Sequence, residues 1–157
     1  MKVEMTGVLA SRRAMQNLGD ELTKRLNDEI ARAAKNVANH ARLSIRNPNK
    51  SGRLYPRGGK IHQASAKGEA PAFDTGNLAG SVIQERSQTD TGRLATWITG
   101  SKLNYSKWLE FGTQDGRIGE RPFLRPALRR ERPEFIKRAA NLVGGRKVRL
   151  NALMKDE

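Results

Sequence analysis

Between residues 11 and 45, apolar side chains return at steps of three and four: Leu18, Leu22, Leu26, Ile30, Ala33, Val37, Ala41 and Ile45. At that spacing they share one stripe, which predicts a single long amphipathic helix. Asp20, Lys24, Arg25, Asp28, Arg32, Lys35 and Arg42 fall largely off the stripe. Asn47-Pro48 ends the element, because the residue before a proline is pushed out of α geometry. More than a fifth of the 157 residues is thus committed to one rod, and the rest of the chain has to fold against it. A stripe so narrow and alanine-rich suits close packing on a sheet or on another helix.

That remainder is enough for one domain with a modest core. Hydrophobic residues make up 36% and aromatics 5%, a lean supply that points to extended parts or to stability drawn from partners. The absence of cysteine excludes disulfides and thiolate metal sites. No apolar run approaches the roughly 18 residues of a membrane span, and the opening MKVEMTGVLASRR has no signal-peptide core, so no membrane association is expected. Thirty Lys and Arg against sixteen Asp and Glu give a formal charge of +14, which calls for a polyanionic partner or a strongly acidic protein surface.

Residues 46–72 form the least regular stretch, rich in glycine, proline, serine and lysine, with no acidic residue before Glu69. A long irregular segment inside a compact domain is usually functional or disordered. Arg46, Lys50, Arg53, Arg57, Lys60 and Lys67 surround Tyr55 there. This basic loop suits a phosphate backbone or an acidic protein, and equally a loop that orders only on assembly. Beyond it, 81–88 and 93–99 are strand-like around a Thr89-Asp90-Thr91-Gly92 turn, which predicts a hairpin. On its second strand Leu94, Thr96 and Ile98 share one face and Ala95 and Trp97 the other, so both faces carry apolar groups.

The stretch YSKWLEFGTQDGRIGERPFLRPAL, residues 105–128, holds much of the aromatic content. Tyr105, Trp108 and Leu109 fall on one face of a short helix that Gly112 would stop. Tyr105, Trp108 and Phe111 are expected as core packing, with Phe123 and Leu124 anchoring a helix that restarts at Arg121. Pro122 and Pro126 suit its first turn. Glu110 and Arg121 flank the intervening loop and are expected to pair across it. Leu128, Phe135, Ala139 and Leu142 continue the apolar stripe. Pro133 should kink or split this second helix, and Gly144-Gly145 should end it, leaving a basic tail over 146–157.

Signatures of chemistry are weak. Asp74-Thr75-Gly76 and Asp90-Thr91-Gly92 repeat the aspartic-protease triplet, but no hydrophobic strand leads into either and both read as turns. Gly58-Gly59-Lys60 lacks the earlier glycine and the following Ser or Thr of a phosphate loop, since Leu54 and Ile61 stand there. His40 and His62 are too few and too scattered for a metal site or a catalytic triad. The expectation is a protein that is not an enzyme and needs no cofactor or metal. Arg121, Arg125, Arg129, Arg130, Arg132 and Arg138 make the second helix an electrostatic footprint for nucleic acid, but without stacking aromatics or a recognition-helix pattern. Contact with DNA would be to phosphates, without sequence preference.

Ala64-Ser65-Ala66-Lys67-Gly68-Glu69-Ala70-Pro71, then Asp74-Thr75-Gly76-Asn77-Leu78 and Ser81-Val82-Ile83, resemble the central signature of the HK-97 type gene-product-ten family. These are small tail-completion or neck proteins of long-tailed bacteriophages. The second half resembles it more closely, with Tyr105, then Leu109-Glu110-Phe111-Gly112-Thr113, then Arg121-Pro122-Phe123-Leu124-Arg125-Pro126-Ala127-Leu128. With the long first helix, the likeness runs over 1–145 as a single domain. It implies an α+β fold, with a long N-terminal helix and a C-terminal helix packed on a small antiparallel sheet. It also implies a homo-oligomeric ring, six-fold or twelve-fold, at the head–tail junction of the virion, made in the host bacterial cytoplasm. Its neighbours would be head-closure or connector proteins and tail-terminator proteins, with the basic loop within reach of channel DNA. A non-specific nucleic-acid-binding protein is the alternative.

Overall fold

The computed structural model of the chain describes residues 8–88 and 92–153. It is α+β: two long helices and two small antiparallel sheets. The predicted first helix is present as α1, Val8–Arg46. Among its described side chains the buried ones lie in the second half, where Ala34, Val37, Ala38, Ala41 and Ile45 face inward, while Leu18 is exposed. Ala34 and Ala38 widen the expected stripe by one residue on its side. Their small side chains let other elements approach the helix backbone closely.

Residues 46–72 are not irregular throughout. Strands β1 (Leu54–Arg57) and β2 (Lys60–Gln63) form an antiparallel hairpin, registered from Leu54 opposite Gln63 to Arg57 opposite Lys60. Gly58 and Gly59 make the two-residue turn, both at positive φ, which is what a turn matching the strand twist requires. The same Gly-Gly pair that fails as a phosphate loop is a hairpin signal.

Asp74-Thr75-Gly76 is the predicted turn. Gly76 at φ 83° leads into the short helix α2, Asn77–Ser81. The second triplet begins at Asp90 and Thr91, outside the described residues. Strand β3 (Val82–Arg86) pairs with β4 (Trp97–Ser101), so the second strand starts four residues later than 93–99 predicts. The reason is Asn27 on α1. Its side-chain oxygen accepts the Ala95 N–H at 2.7 Å and its NH2 donates to the Arg93 carbonyl at 3.1 Å. Backbone groups satisfied that way do not extend the ladder. Ala95 is buried and Trp97 half-buried on the side of α1, whereas Leu94 and Ile98 are exposed on the other.

Helix α3 (Ser106–Phe111) precedes α4, Leu124–Leu153. Moving up α4, Glu131 meets Asn36 and Arg138 meets Glu29, so α4 runs antiparallel to α1. Pro133 lies within α4 without dividing it, its ring on the exposed side. Gly144-Gly145 does not end it either. The helix continues to Leu153, so the first part of the predicted tail is helical. The core gathers Ala38, Ala41 and Ile45 of α1, Leu78 and Ala79 of α2, Val82 of β3, and Phe123 and Ala127 at the start of α4. Phe123, Ile45 and Val82 are its largest fully buried side chains.

Candidate partner-binding surfaces

The stretch 105–128 is built around one carboxylate. Glu110, on the inner side of α3, is 3% exposed. One oxygen accepts the backbone N–H groups of Phe123 and Leu124 at 2.8 and 3.0 Å; the other accepts the Arg125 N–H at 2.8 Å and its Nε at 3.2 Å. The first N–H groups of a helix have no partners within it, and positive ends attract anions. Glu110 supplies from a distant element the cap that the local sequence lacks, since no Ser, Thr, Asp or Asn precedes Leu124 within the Arg121–Phe123 run. It also fixes the helix start at Leu124 rather than Arg121.

The expected Glu110–Arg121 pair therefore does not form. Glu110 pairs with Arg125, which also reaches Glu120 at 3.0 Å and lies over the Phe111 ring. Arg121 turns the other way: its N–H donates to the Leu109 carbonyl at 2.6 Å and its Nε to the Ser65 carbonyl at 3.2 Å. The Gly68 N–H donates to the Glu120 carbonyl at 2.8 Å, so the same loop binds the basic segment. Gly112 sits at φ 76°, and a Cβ there would lie 3.0 Å from the Ile118 carbonyl oxygen. Only glycine fits. Thr113 braces the loop, its hydroxyl accepting the Ile118 N–H at 3.0 Å and its own N–H donating to the Ile118 carbonyl.

Phe123 is fully buried, as expected, and Leu109 and Leu124 pack against the core. The aromatic expectation fails. Tyr105, Trp108 and Phe111 are 42%, 44% and 67% exposed. A six-residue helix has one inward side, and here Leu109 and Glu110 occupy it. Pro122 is half-buried before the helix and Pro126 exposed in its first turn.

The basic loop is held at its base. Glu69 accepts the backbone N–H groups of Ser51 and Ala66 at 3.1 and 2.9 Å and the Ser51 hydroxyl at 2.5 Å, contacts that keep its carboxyl below its ordinary pKa. Gly52 and Ala64 are bonded at 3.0 Å, so close that a Cβ on Gly52 would meet the Ala64 oxygen at 2.6 Å. His62 is on β2, stacked on Tyr55 with ring centres 6.0 Å apart.

The six candidate cations of this loop are not equivalent. Lys50 donates to the Ser44 carbonyl at 3.0 Å, and burial lowers its pKa against the opposing charge of Glu69. Arg57 pairs with Asp74. Arg46, Arg53, Lys60 and Lys67 are exposed. A second group of cations lies on the exposed surface of α4: Arg129, Arg130, Arg132 and Lys137 are exposed and form no ion pair among the described residues. Arg138 is different, turned inward to Glu29 and Glu131.

Glu131, 4% exposed, is the other buried carboxylate. Burial alone would raise its pKa. Hydrogen bonds from Arg138 and Asn36 and the charges of Arg138 and His40 outweigh that and hold it below the ordinary value. A carboxylate with a depressed folded-state pKa stabilises the fold above its unfolded pKa, and the contribution is lost as pH falls through the folded value. The urea midpoint should therefore drop between pH 5 and pH 3, and Glu131→Gln should flatten part of that drop. An unchanged pH profile in the variant would remove Glu131 from the acid transition.

Sequence reasoning missed the roles of Glu110, Glu69 and Glu131. The signals were an uncapped helix start at Leu124 and, in α4, charges at Glu131 and Arg138 on the same stripe as Leu124, Phe135 and Leu142. Among the described residues no cluster of His, Cys, Asp or Glu could hold a metal ion, and no helix is long and apolar enough to cross a membrane. Comparison with protein-family models, curated proteins and solved structures finds no match.

Proposed function

We propose that this chain is a structural subunit of a tailed-bacteriophage virion, a ring-forming tail-completion or neck protein that joins the tail to the DNA-filled head. The observation that carries the reading is the convergence of the motif residues on which the resemblance rests. Ser65 and Gly68 from the first motif meet Leu109, Glu110, Gly112, Arg121 and Phe123 from the second in one latch. Such a latch is architecture rather than chemistry. It holds a projecting basic hairpin on a small core, and the hairpin presents Leu54 and Ile61 at 61% and 76% exposure. Apolar surface on a projecting element is what a subunit buries against its neighbour in a ring.

The test is electron microscopy of a lysate from a phage or prophage deleted for this gene. DNA-filled heads beside detached tails are the expected outcome. Normal tailed, infectious particles would sink the proposal.

A second reading, non-specific binding to duplex DNA, is favoured by the four exposed cations of α4. Neutralising about four phosphates makes affinity fall on the order of 100-fold between 50 and 200 mM salt. Binding of a fluorescent duplex by the purified protein that lacks this dependence would dismiss it.

A further inference from the structure

We propose that the cleft between α1, β4 and α4 is a docking groove for an acidic amphipathic segment of a protein partner. The inference goes beyond the virion reading and does not depend on it.

The cleft is about 400 Å3, within the range of sites that take ligands or anchoring side chains. Ile30, Ala33 and Val37 of α1, Trp97 of β4, and Leu128 and Phe135 of α4 form its apolar walls. Ala34 and Thr99 also line it. Leu128 stands at the mouth, 57% exposed, although its neighbour Ala127 is buried in the core. An apolar side chain so placed is exposed by position rather than by lack of a nearby core.

Charge selects the occupant. Arg132 lines the cleft and is exposed without an ion pair among the described residues. Arg129 is exposed one turn before it, on the same side of α4. The cleft's carboxylate, Glu131, is already engaged by Arg138, Asn36 and His40, so it does not neutralise Arg132. An apolar trough with an uncompensated cationic rim fits a helical segment with leucine-like residues three and four apart and carboxylates on its flank. A neutral apolar ligand would leave the rim unmatched, and a nucleic-acid backbone would leave the trough empty.

Trp97 lies in the wall and serves as a reporter once the other indole is removed by Trp108→Phe. The full chain carrying that change is titrated with a capped twelve-residue peptide of leucine, alanine and glutamate, leucines on one face, and with its lysine-for-glutamate counterpart. The acidic peptide should shift Trp97 emission to the blue, saturably, and bind at least ten-fold more tightly than the lysine peptide. Leu128→Asp should remove the response while leaving far-ultraviolet circular dichroism unchanged. Arg132→Glu should erase or reverse the preference. The proposal is overturned by an absent Trp97 response to the acidic peptide, by equal binding of both peptides, or by a response that Leu128→Asp leaves intact. It is also overturned if light scattering shows a second copy filling the cleft, or if duplex DNA gives the same shift. None of these outcomes bears on whether deletion particles lack tails, so the two proposals fail separately.

Discussion

Phe123→Ala should lower the stability of the folded chain by about 3–5 kcal/mol, the range for truncating a buried phenylalanine. The ring is fully buried and is the largest side chain in the core. It shares the core with Ile45, Leu78 and Val82 and with Ala38, Ala41, Ala79 and Ala127, alanines that have no spare length with which to fill the hole. The less the surroundings collapse, the higher in that range the cost falls. For a chain of this size the melting temperature should fall on the order of 10 °C. An unchanged melting temperature would mean that the ring is not in the core.

Glu110→Ala should also destabilise the fold, by a different route. The substitution leaves the N–H groups of Phe123, Leu124 and Arg125 without their acceptor, and leaves the Arg125 guanidinium with Glu120 and the Glu110 backbone carbonyl. Arg125 is 40% exposed and can turn to water, so the cost falls on the buried N–H groups, at about 1–3 kcal/mol for a buried donor left unsatisfied. Glu110→Gln keeps the shape but offers one acceptor oxygen where two are used, so it should recover part of the loss. Hydrogen exchange distinguishes this from a simple core defect. The amides of 65–68 and 119–125 should exchange faster in Glu110→Ala, because the latch that Glu110 organises also holds the basic loop. In Phe123→Ala the largest change should fall in the second half of α1. Identical exchange patterns in the two variants would overturn the latch.

The long helix was legible in the sequence because neither a strand nor a loop produces a 3.6-residue period over many turns. Phe123 was legible because it is an aromatic between two prolines at the start of a periodic stretch. The hairpin at 54–63 was not, since it buries almost nothing and shows no alternation to read. Its one local mark, the glycine pair, has meaning only when flanking strands are already suspected. The exposed Tyr105, Trp108 and Phe111 mislead for a related reason: aromatic content predicts burial on average, but which side of a short helix faces inward is decided by its partners. There a buried carboxylate outweighs three rings, because the uncapped end of α4 needs an anion more than the small core needs further volume. Arg93–Ala95 fails as a strand for want of a distant fact, an asparagine on α1 that takes the Arg93 carbonyl and the Ala95 N–H. Pro133 is read as a break from local propensity, which the contacts of Glu131 and Arg138 with α1 override; nothing in the structure explains why the helix runs on through Gly144-Gly145.

The antiparallel pairing of the first and last helices fixes when the core can form. Ile45 and Phe123 are neighbours in the core but roughly 80 residues apart in the chain, and closing a loop of that length costs about 4 kcal/mol of chain entropy before a constant term. As the chain emerges from the ribosome, α1 can wind early and meet α2, β3 and β4, yet its alanine-lined side lacks its largest core partner until the Arg-Pro-Phe-Leu run has been synthesised. Glu110 becomes a cap only at that same moment, when the helix it caps exists. The last third of the sequence therefore closes, with Phe123 and Ala127, a core that the first two thirds leave open on one side.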